Sequence, residues 1–445
     1  MKIMNARLFS ILSLPFVLPM MVMAKQPLAT KPNIILIISD DQGFPDYGFM
    51  NHAVVKTPNI DRLATQGMLY TRGYTMPLCS PSLACLLTGK LPHQNGITGN
   101  DLTAADAPEA PAEKAKGKAK GKRGPRTPLV QQLLGNSLIL PKALTDSGYL
   151  AFQTGKLWNV TYKDVGFTSG MTVKASRHGD EGLSIGRKGM TPIIDFMDTA
   201  RKEQKPFFVW YAPMMPHSPH TPPAELLAHY QDKGLTPAAE KYYAMVEWFD
   251  QTCGELDDYL VKHQLADNTI ILYLADNGWN ANEGMGPSSR AKLTPYELGI
   301  RTPMFVRWPA KVKPQRDDQT LASIIDFAPT ILKAAGVQGP ADLPGLDLLD
   351  REAMTARKSI FVESYTHNIA ELGAPEQSLI AQVIINGSSK LLIPGTAKDS
   401  KRMAAPTEME LFDLQSDPLE KTNLAPNRPD EVKRLEAIQQ SAWKP

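Results

Sequence analysis

Two stretches of the chain are apolar at nearly every position rather than at every second or fourth. Asn33 to Ser39 (NIILIIS) and Thr269 to Ala275 (TIILYLA) are short and rich in β-branched residues, with no polar face. Such runs are expected of strands buried on both sides of a parallel sheet. Each stops at a pair of oxygen-bearing side chains, Asp40 and Asp41 after the first, Asp276 and Asn277 after the second. Tyr149 to Gln153 and Pro206 to Tyr211 read as further strands. The former leads into Thr154, Gly155 and Lys156, the latter into a Pro-rich loop with His217 and His220. Between these runs the period lengthens. Thr57 to Tyr74 predicts a Pro-initiated helix with Ile60, Leu63 and Ala64 on one face and Gly67 as its stop, then a short strand. Leu140 to Ser147 predicts another helix. Ala239 to His263 carries Tyr243, Val246, Phe249 and Leu256 at helical spacing, as core positions. Beyond about Thr355 the pattern changes to short strands, SIFVES and AQVIINGSSKLLI, and a terminal amphipathic helix. The alternation of strand and helix predicts an α/β protein, with one unit over 31–354 and a smaller α+β unit over 355–445.

Composition adds limits. The 445 residues are 42% hydrophobic and 21% charged, as in an ordinary globular protein. A formal charge of +2 gives no reason to expect a nucleic-acid partner. The basic excess is local, from Lys114 to Arg126, inside a segment (101–128) of Ala, Pro, Gly, Lys and Glu that predicts a disordered surface insertion. The alternative to a solvated loop there is a polyanion-binding role by charge attraction. At the N-terminus, MKIMNAR and the apolar LFSILSLPFVLPMMVMA predict a signal peptide over 1–24, cleaved after Ala24. The expectation is a periplasmic or secreted protein with no stable membrane anchor. Three cysteines, Cys79, Cys85 and Cys253, make no disulfide framework. Cys85 and Cys253 either pair or stay buried as thiols.

The candidate chemistry sits where strands end. Ligands in open α/β sheets collect at the carboxyl ends of strands. Two strand ends in one sheet would gather Asp40, Asp41, Asp276 and Asn277, three carboxylates and an amide that suit calcium. His217 and His220, without neighbouring Asp, Glu or Cys ligands, do not suit zinc. The stretch Cys79 to His93 (CSPSLACLLTGKLPH) reads as a kinked polar segment feeding a helix. That would set Cys79 near a helix N-terminus, where an anion or thiolate is favoured.

These residues resemble the active-site signature of the type I, formylglycine-dependent sulfatases of the alkaline phosphatase superfamily. The family pattern, Cys-x-Pro-Ser-Arg followed by a short helix and Thr-Gly, is met at Cys79, Pro81, Ser82, Thr88 and Gly89, with Leu83 at the Arg position. TPNIDRLA, SDD and ADNG are similar to family segments. The family's Gly-Lys-Trp-His is met at Lys156, and Trp158 occupies the substrate-touching His position. Pro-His-x-Pro-His is met at His217 and His220. Lys292 lies upstream of Tyr296, Glu297, Arg301 and Pro303 as the family's substrate-binding Lys does, with Arg290 close by. Ser323 to Gly336 resembles the family's last core helix, and MELFDLQSDPLEKTNLA its C-terminal ending.

The resemblance implies a large mixed, mostly parallel sheet flanked by helices, alkaline-phosphatase-like, with a smaller C-terminal α+β subdomain. It implies an arylsulfatase-like sulfuric ester hydrolase in which a maturation enzyme converts Cys79 to formylglycine. The hydrated aldehyde would supply the nucleophilic hydroxyl. One calcium ion would lie on Asp40, Asp41, Asp276 and Asn277. Lys156 and Lys292 would neutralise the sulfate and His217 would meet the leaving-group oxygen, with His220, Trp158 and Arg290 as substrate contacts. The expected substrate is a sulfated small molecule or glycan. Two other readings stay open: a metal-dependent phosphate or phosphonate ester hydrolase, and a non-catalytic sulfoglycan-binding protein.

Overall fold

A computed structural model describes residues 31–102, 128–157, 160–174, 180–397, 403 and 406–443. The two all-apolar runs become β1 (Asn33–Ser39) and β7 (Thr269–Ala275), with the bounds read from the sequence. They join β2 (Met68–Tyr74), β4 (Leu150–Gly155), β5 (Ser169–Gly170), β6 (Phe207–Ala212), β8 (Arg301–Arg307) and β9 (Gln315–Ser323) in an eight-stranded sheet of order β5-β4-β6-β1-β7-β8-β2-β9. All neighbours are parallel except β8, which runs against both β7 and β2. A two-residue pairing of β3 (Asp101–Leu102) with β11 (Asn368–Ile369) ties the near end of the predicted insertion to the C-terminal part. Its far end, Pro128, opens a helix, and 103–127 lies outside the described residues.

Alternate residues of β1 point to opposite faces of the sheet. Ile34, Leu36 and Ile38 join one apolar cluster, while Ile35 and Ile37 join another with Phe249 and Cys253 from the helix Pro237–Lys262. Each fully buried side chain of this kind contributes roughly 1.5–3 kcal/mol of transfer free energy, so the interior of β1 is apolar throughout and its polar residues, Asn33 and Ser39, stand at its two ends. The same division settles the cysteines. Cys85 lies in the first cluster and Cys253 in the second, both buried and free, so the sheet itself separates them.

The long helix starts two residues earlier than its apolar pattern, because Pro237 supplies a pre-set first turn and the Thr236 hydroxyl accepts from Ala239 N at 3.2 Å. The expected helix 323–336 resolves into a 3-10 turn, Ile324–Asp326, and a helix, Phe327–Ala335, closed by Gly336 at φ 68°.

The C-terminal strands β10 (Ser359–Tyr365), β12 (Leu379–Asn386), β13 (Ser389–Pro394) and β14 (Glu410–Asp413) form a second, antiparallel sheet in that order. One face, with Val362, Val383, Ile385, Leu392 and Phe412, belongs to the same apolar cluster as Ile34 and Leu36. The other, with Ile384, Leu391 and Leu411, packs Val432 and Leu435 of the helix Pro429–Ala442.

Candidate active site

Register builds the centre of the site. Residues 33–39 of β1 pair one for one with 269–275 of β7, and Asp276 N donates to Ser39 O at 2.9 Å. The next residues on each chain, Asp40 and Asp41, Asp276 and Asn277, therefore leave the sheet together. β6 flanks β1 on the other side and runs into the loop carrying His217. β4 lies beyond β6 and ends at Gly155, so Lys156 follows on the same edge. β2 points the same way and leads to the helix α2 (Cys79–Thr88), of which Cys79 is the first residue. Because β8 is antiparallel it begins at the edge where the others finish, so the segment before it delivers Lys292 there too.

All eight of these side chains except His217 are essentially buried. Lys156 Nζ donates to Asp40 Oδ1 at 2.7 Å and lies 3.8 Å from Asp276 Oδ2. Lys292 Nζ donates to Asp41 Oδ1 at 2.6 Å, and Asn277 Nδ2 donates to the same oxygen at 2.7 Å. Asp41 N donates to Asp276 Oδ1 at 3.3 Å. His217 Nε2 stands 3.4 Å from Asp41 Oδ2. Its Nδ1 faces Ser218 O at 2.6 Å, and since a carbonyl only accepts, Nδ1 carries the proton in the neutral ring and Nε2 faces the site. Asp41 itself has φ 62°, a left-handed backbone that Asp tolerates better than most residues and that turns up at functional sites.

The electrostatics follow from these contacts. Burial alone would raise Asp41, but Lys292, His217 and Lys156 overcome it and hold the carboxyl well below its usual range. Burial would lower both lysines; Asp40, then Cys79, raises Lys156, and Asp41, then Cys79, raises Lys292. Asp276 is pushed well above the carboxylate range by burial and by Asp40. Burial lowers His217, partly offset by Asp41 and Asp40. Ionised together, the three buried carboxyl groups would exceed the two ammonium groups by one negative charge, which is why Asp276 keeps its proton until another positive charge is supplied.

A hard cation fits that shortfall. Asp40 Oδ2, Asp41 Oδ2 and Asn277 Oδ1 are buried oxygens with no hydrogen-bond partner, an arrangement that is costly unless something else satisfies them. Asp40, Asp41 and His217 also present ligand atoms within 4.8 Å of one another. Oxygens of this kind are calcium and magnesium donors.

Cys79 Sγ lies 3.6 Å from Asn100 Oδ1, which also accepts from Ser80 N at 3.2 Å. Asn100 Nδ2 faces His367 Nε2 at 3.2 Å, and His367 Nδ1 faces Asn368 Oδ1 at 2.7 Å. Neither Asn100 nor His367 stood out in the sequence: one sits at the edge of the insertion, the other 267 residues further on. His220 lies beside the site between the rings of Tyr242 and Trp279, at 5.7 and 5.9 Å, and burial lowers its pKa. Arg290 is not brought to the carboxylates. Its guanidinium donates to Glu420 O at 2.5 Å and covers the Tyr296 ring at 4.1 Å, which leaves Lys292 as the cation of that loop. Trp158 lies outside the described residues. Leu83, at the position where the resemblance has Arg, is packed into the main apolar cluster. Lys90 does not stand in for it, since its Nζ pairs with Asp342 at 2.7 Å.

A mostly parallel sheet with carboxylates, lysines and a helix-borne Cys gathered on one edge defines an alkaline-phosphatase-like α/β fold. A structure solved with its substrate D-glucosamine-2-N,6-O-disulfate superposes with a TM-score of 0.69 at 21% identity, over 93% of this chain and 97% of that one. The phosphonate monoester hydrolase of Agrobacterium radiobacter gives 0.65 at 17%, over 93% and 95%. The Sulfatase family model matches residues 32–337, and the model for the C-terminal part of N-sulphoglucosamine sulphohydrolase matches 291–441. The chain belongs to the sulfatase family. The N-acetylgalactosamine-6-sulfatase of Canis lupus familiaris is 29% identical over 364 residues, 72% of this chain and 65% of that protein, so the match spans just under two thirds of the relative's length. The ulvan-active sulfatase of Formosa agariphila is 26% identical over 438 residues, 90% of this chain and 77% of that one.

Proposed function

We propose that the protein is an exported hydrolase of sulfate esters on a sulfated carbohydrate, working with formylglycine at Cys79 and one calcium ion on Asp40, Asp41, Asp276 and Asn277. The observation that carries this reading is the convergence of Cys79, Lys156, Lys292 and His217 around three buried carboxyl groups that two ammonium groups cannot fully neutralise, with Asp40 Oδ2, Asp41 Oδ2 and Asn277 Oδ1 left unpartnered. Calcium would supply charge neutralisation and Lewis-acid polarisation, and formylglycine the nucleophilic oxygen.

The chain's own residues do the rest. Lys156 and Lys292 are fully protonated and fixed before substrate arrives, so they can hold an anionic ester without reorganising. Their burial excludes water and strengthens that attraction. His217 directs Nε2 into the site, and as the imidazolium it would pass its Nε2 proton to the departing alkoxide oxygen, keeping its Nδ1 proton hydrogen-bonded to Ser218 O. Asn100 holds the first turn of α2 through Ser80 N and so fixes the position from which residue 79 acts.

The glycan substrate is supported by the names of the relatives, an N-acetylgalactosamine-6-sulfatase and an ulvan-active sulfatase. Export is supported by the N-terminal sequence pattern, and no helix among the described residues is long and apolar enough to cross a membrane. A formylglycine-generating enzyme is the implied maturation partner.

Fragmentation mass spectrometry of the tryptic peptide Gly73 to Lys90, from protein made in its own host, tests the reading. Formylglycine at Cys79, with turnover of a sulfate ester, is the expected result. An unmodified thiol with turnover of phosphate or phosphonate esters instead would overturn it.

A further inference from the structure

We propose that Arg187 is the positioning residue of the histidine loop, fixing where His217 Nε2 stands over Asp41; the inference rests on the ester-hydrolase reading above. The loop 213–221 leaves β6 and carries both His217 and His220. Pro213, Pro216 and Pro219 have no N–H, so the segment is poor in donors and rich in carbonyls that must be satisfied from outside. From the sheet side, Asp40 N donates to Met215 O at 3.0 Å.

A single guanidinium takes three more of these carbonyls. Arg187 Nε and Nη2 donate to Met214 O at 3.2 and 2.7 Å, and Nη2 also donates to His217 O at 2.8 Å. Nη1 donates to Pro219 O at 3.2 Å and to Thr221 Oγ1 at 3.1 Å. Four residues of the loop are thus held by one rigid, planar fork, which a lysine ammonium cannot reproduce. Among the described residues no carboxylate lies within ion-pair distance of Arg187, so its donors serve the loop rather than a salt bridge. Hydrogen bonds from a charged donor are the stronger kind.

Arg187 is itself fixed. It sits in a tight turn in which Gly186 and Gly189 exchange backbone hydrogen bonds at 3.3 and 3.2 Å and Lys188 N donates to Ser184 O at 2.9 Å. Gly186 has φ 77°, and a Cβ there would come within 2.9 Å of Met215 Sδ and 3.0 Å of Tyr211 Oη, so the turn is pressed directly against the loop. The His217 ring takes its orientation from Ser218 O, inside the span that Arg187 holds. A shift of the loop therefore moves Nε2.

The test uses the full-length, matured protein and the variants Arg187→Met, Arg187→Lys, His217→Ala and Arg187→Met/His217→Ala. Hydrogen–deuterium exchange on peptides covering 213–223 should rise in both Arg187 variants while the rest of the protein keeps its protection. Unchanged exchange in the loop would overturn the inference, whatever the activity. Kinetics on aryl sulfates of graded leaving-group basicity give the second readout. Arg187→Met should lose kcat most on the poorest leaving group, by about tenfold or more, part of the 10²–10⁴ that general acid catalysis supplies. KM should stay within about threefold. Arg187→Lys should not rescue, and the double variant should be no slower than His217→Ala. Full rescue by Lys, or losses that multiply, would overturn the inference. A wild-type protein that turns over no sulfate ester would sink the proposed function, and the exchange measurement would still decide the role of Arg187.

Discussion

Asp40 and Asp276 leave the sheet side by side because the residues before them, Ser39 and Ala275, face each other across two parallel strands. The carboxylate cluster is thus a product of strand register. A slip of one residue would reverse every side chain of β1 between the two cores, so the apolar faces that set the register also set the spacing of the site.

Calcium should stabilise the folded protein by mass action. With free calcium at a hundred times its Kd the gain is about 2.7 kcal/mol, and chelation should lower Tm accordingly. Asp41→Asn removes one ligand charge and should weaken calcium binding by at least about tenfold, the loss that even an outer-shell partner's removal causes. Calorimetric unfolding with and without chelator checks this: at the same calcium concentration the chelator should shift Asp41→Asn by about half as much as the wild type or less, and equal shifts would contradict the assignment.

Asn100→Ala should lower kcat by about tenfold with little change in KM, as expected when a group acts on the position of the reacting residue rather than on substrate affinity. It removes the acceptor shared by Cys79 Sγ and Ser80 N. Steady-state kinetics on matured protein decide the point, and a change confined to KM would contradict it.

Lys390 is fully buried and bridges Glu297 at 3.2 Å and Glu420 at 2.7 Å, joining β13 to the segment that follows Lys292. Lys390→Met leaves the buried Glu420 without its cation and Glu297 with Arg301 alone, at 3.6 Å. Breaking a buried pair in this way costs about 3–5 kcal/mol, to be read from urea unfolding. A loss below about 1 kcal/mol, the range of an exposed ion pair, would show that the network is not buried in solution.

Asp46 gives a pH signature. Burial pushes its carboxyl up to about 7, against the hydrogen bond from Tyr242, with His52 3.7 Å away. A folded-state pKa raised above 3.8 means that the native protein keeps the proton longer than the unfolded chain. Its contribution to stability is therefore fully present below about pH 4 and is lost as pH rises toward 7, a change of up to a few kcal/mol. Between pH 5 and pH 8 the wild type should lose more stability than Asp46→Asn; equal losses would refute the assignment.

Much of this was legible in the sequence, for physical reasons that differ by residue. β1 and β7 were readable to the residue because the interior of a strand covered on both faces is apolar, so the run of apolar side chains between polar flanks marks its extent. Asp40, Asp41, Asp276 and Asn277 followed from those ends. Cys79 at the start of α2 was readable from a polar segment feeding an apolar one. Lys292 and Arg290 are two residues apart and equally basic, and only the fold shows that one turns inward while the other covers Tyr296. Asn100, His367 and Arg187 left no local trace. Their partners lie on distant segments, and no periodicity encodes a contact made by one side chain across the whole chain.

The small antiparallel sheet has one further consequence. One of its faces packs locally against the helix Pro429–Ala442, but the other is continuous with the apolar layer under the large sheet, so it cannot melt alone without uncovering that layer. A break between β9 and β10 would therefore expose the large sheet's own interior to solvent instead of releasing a self-sufficient fragment.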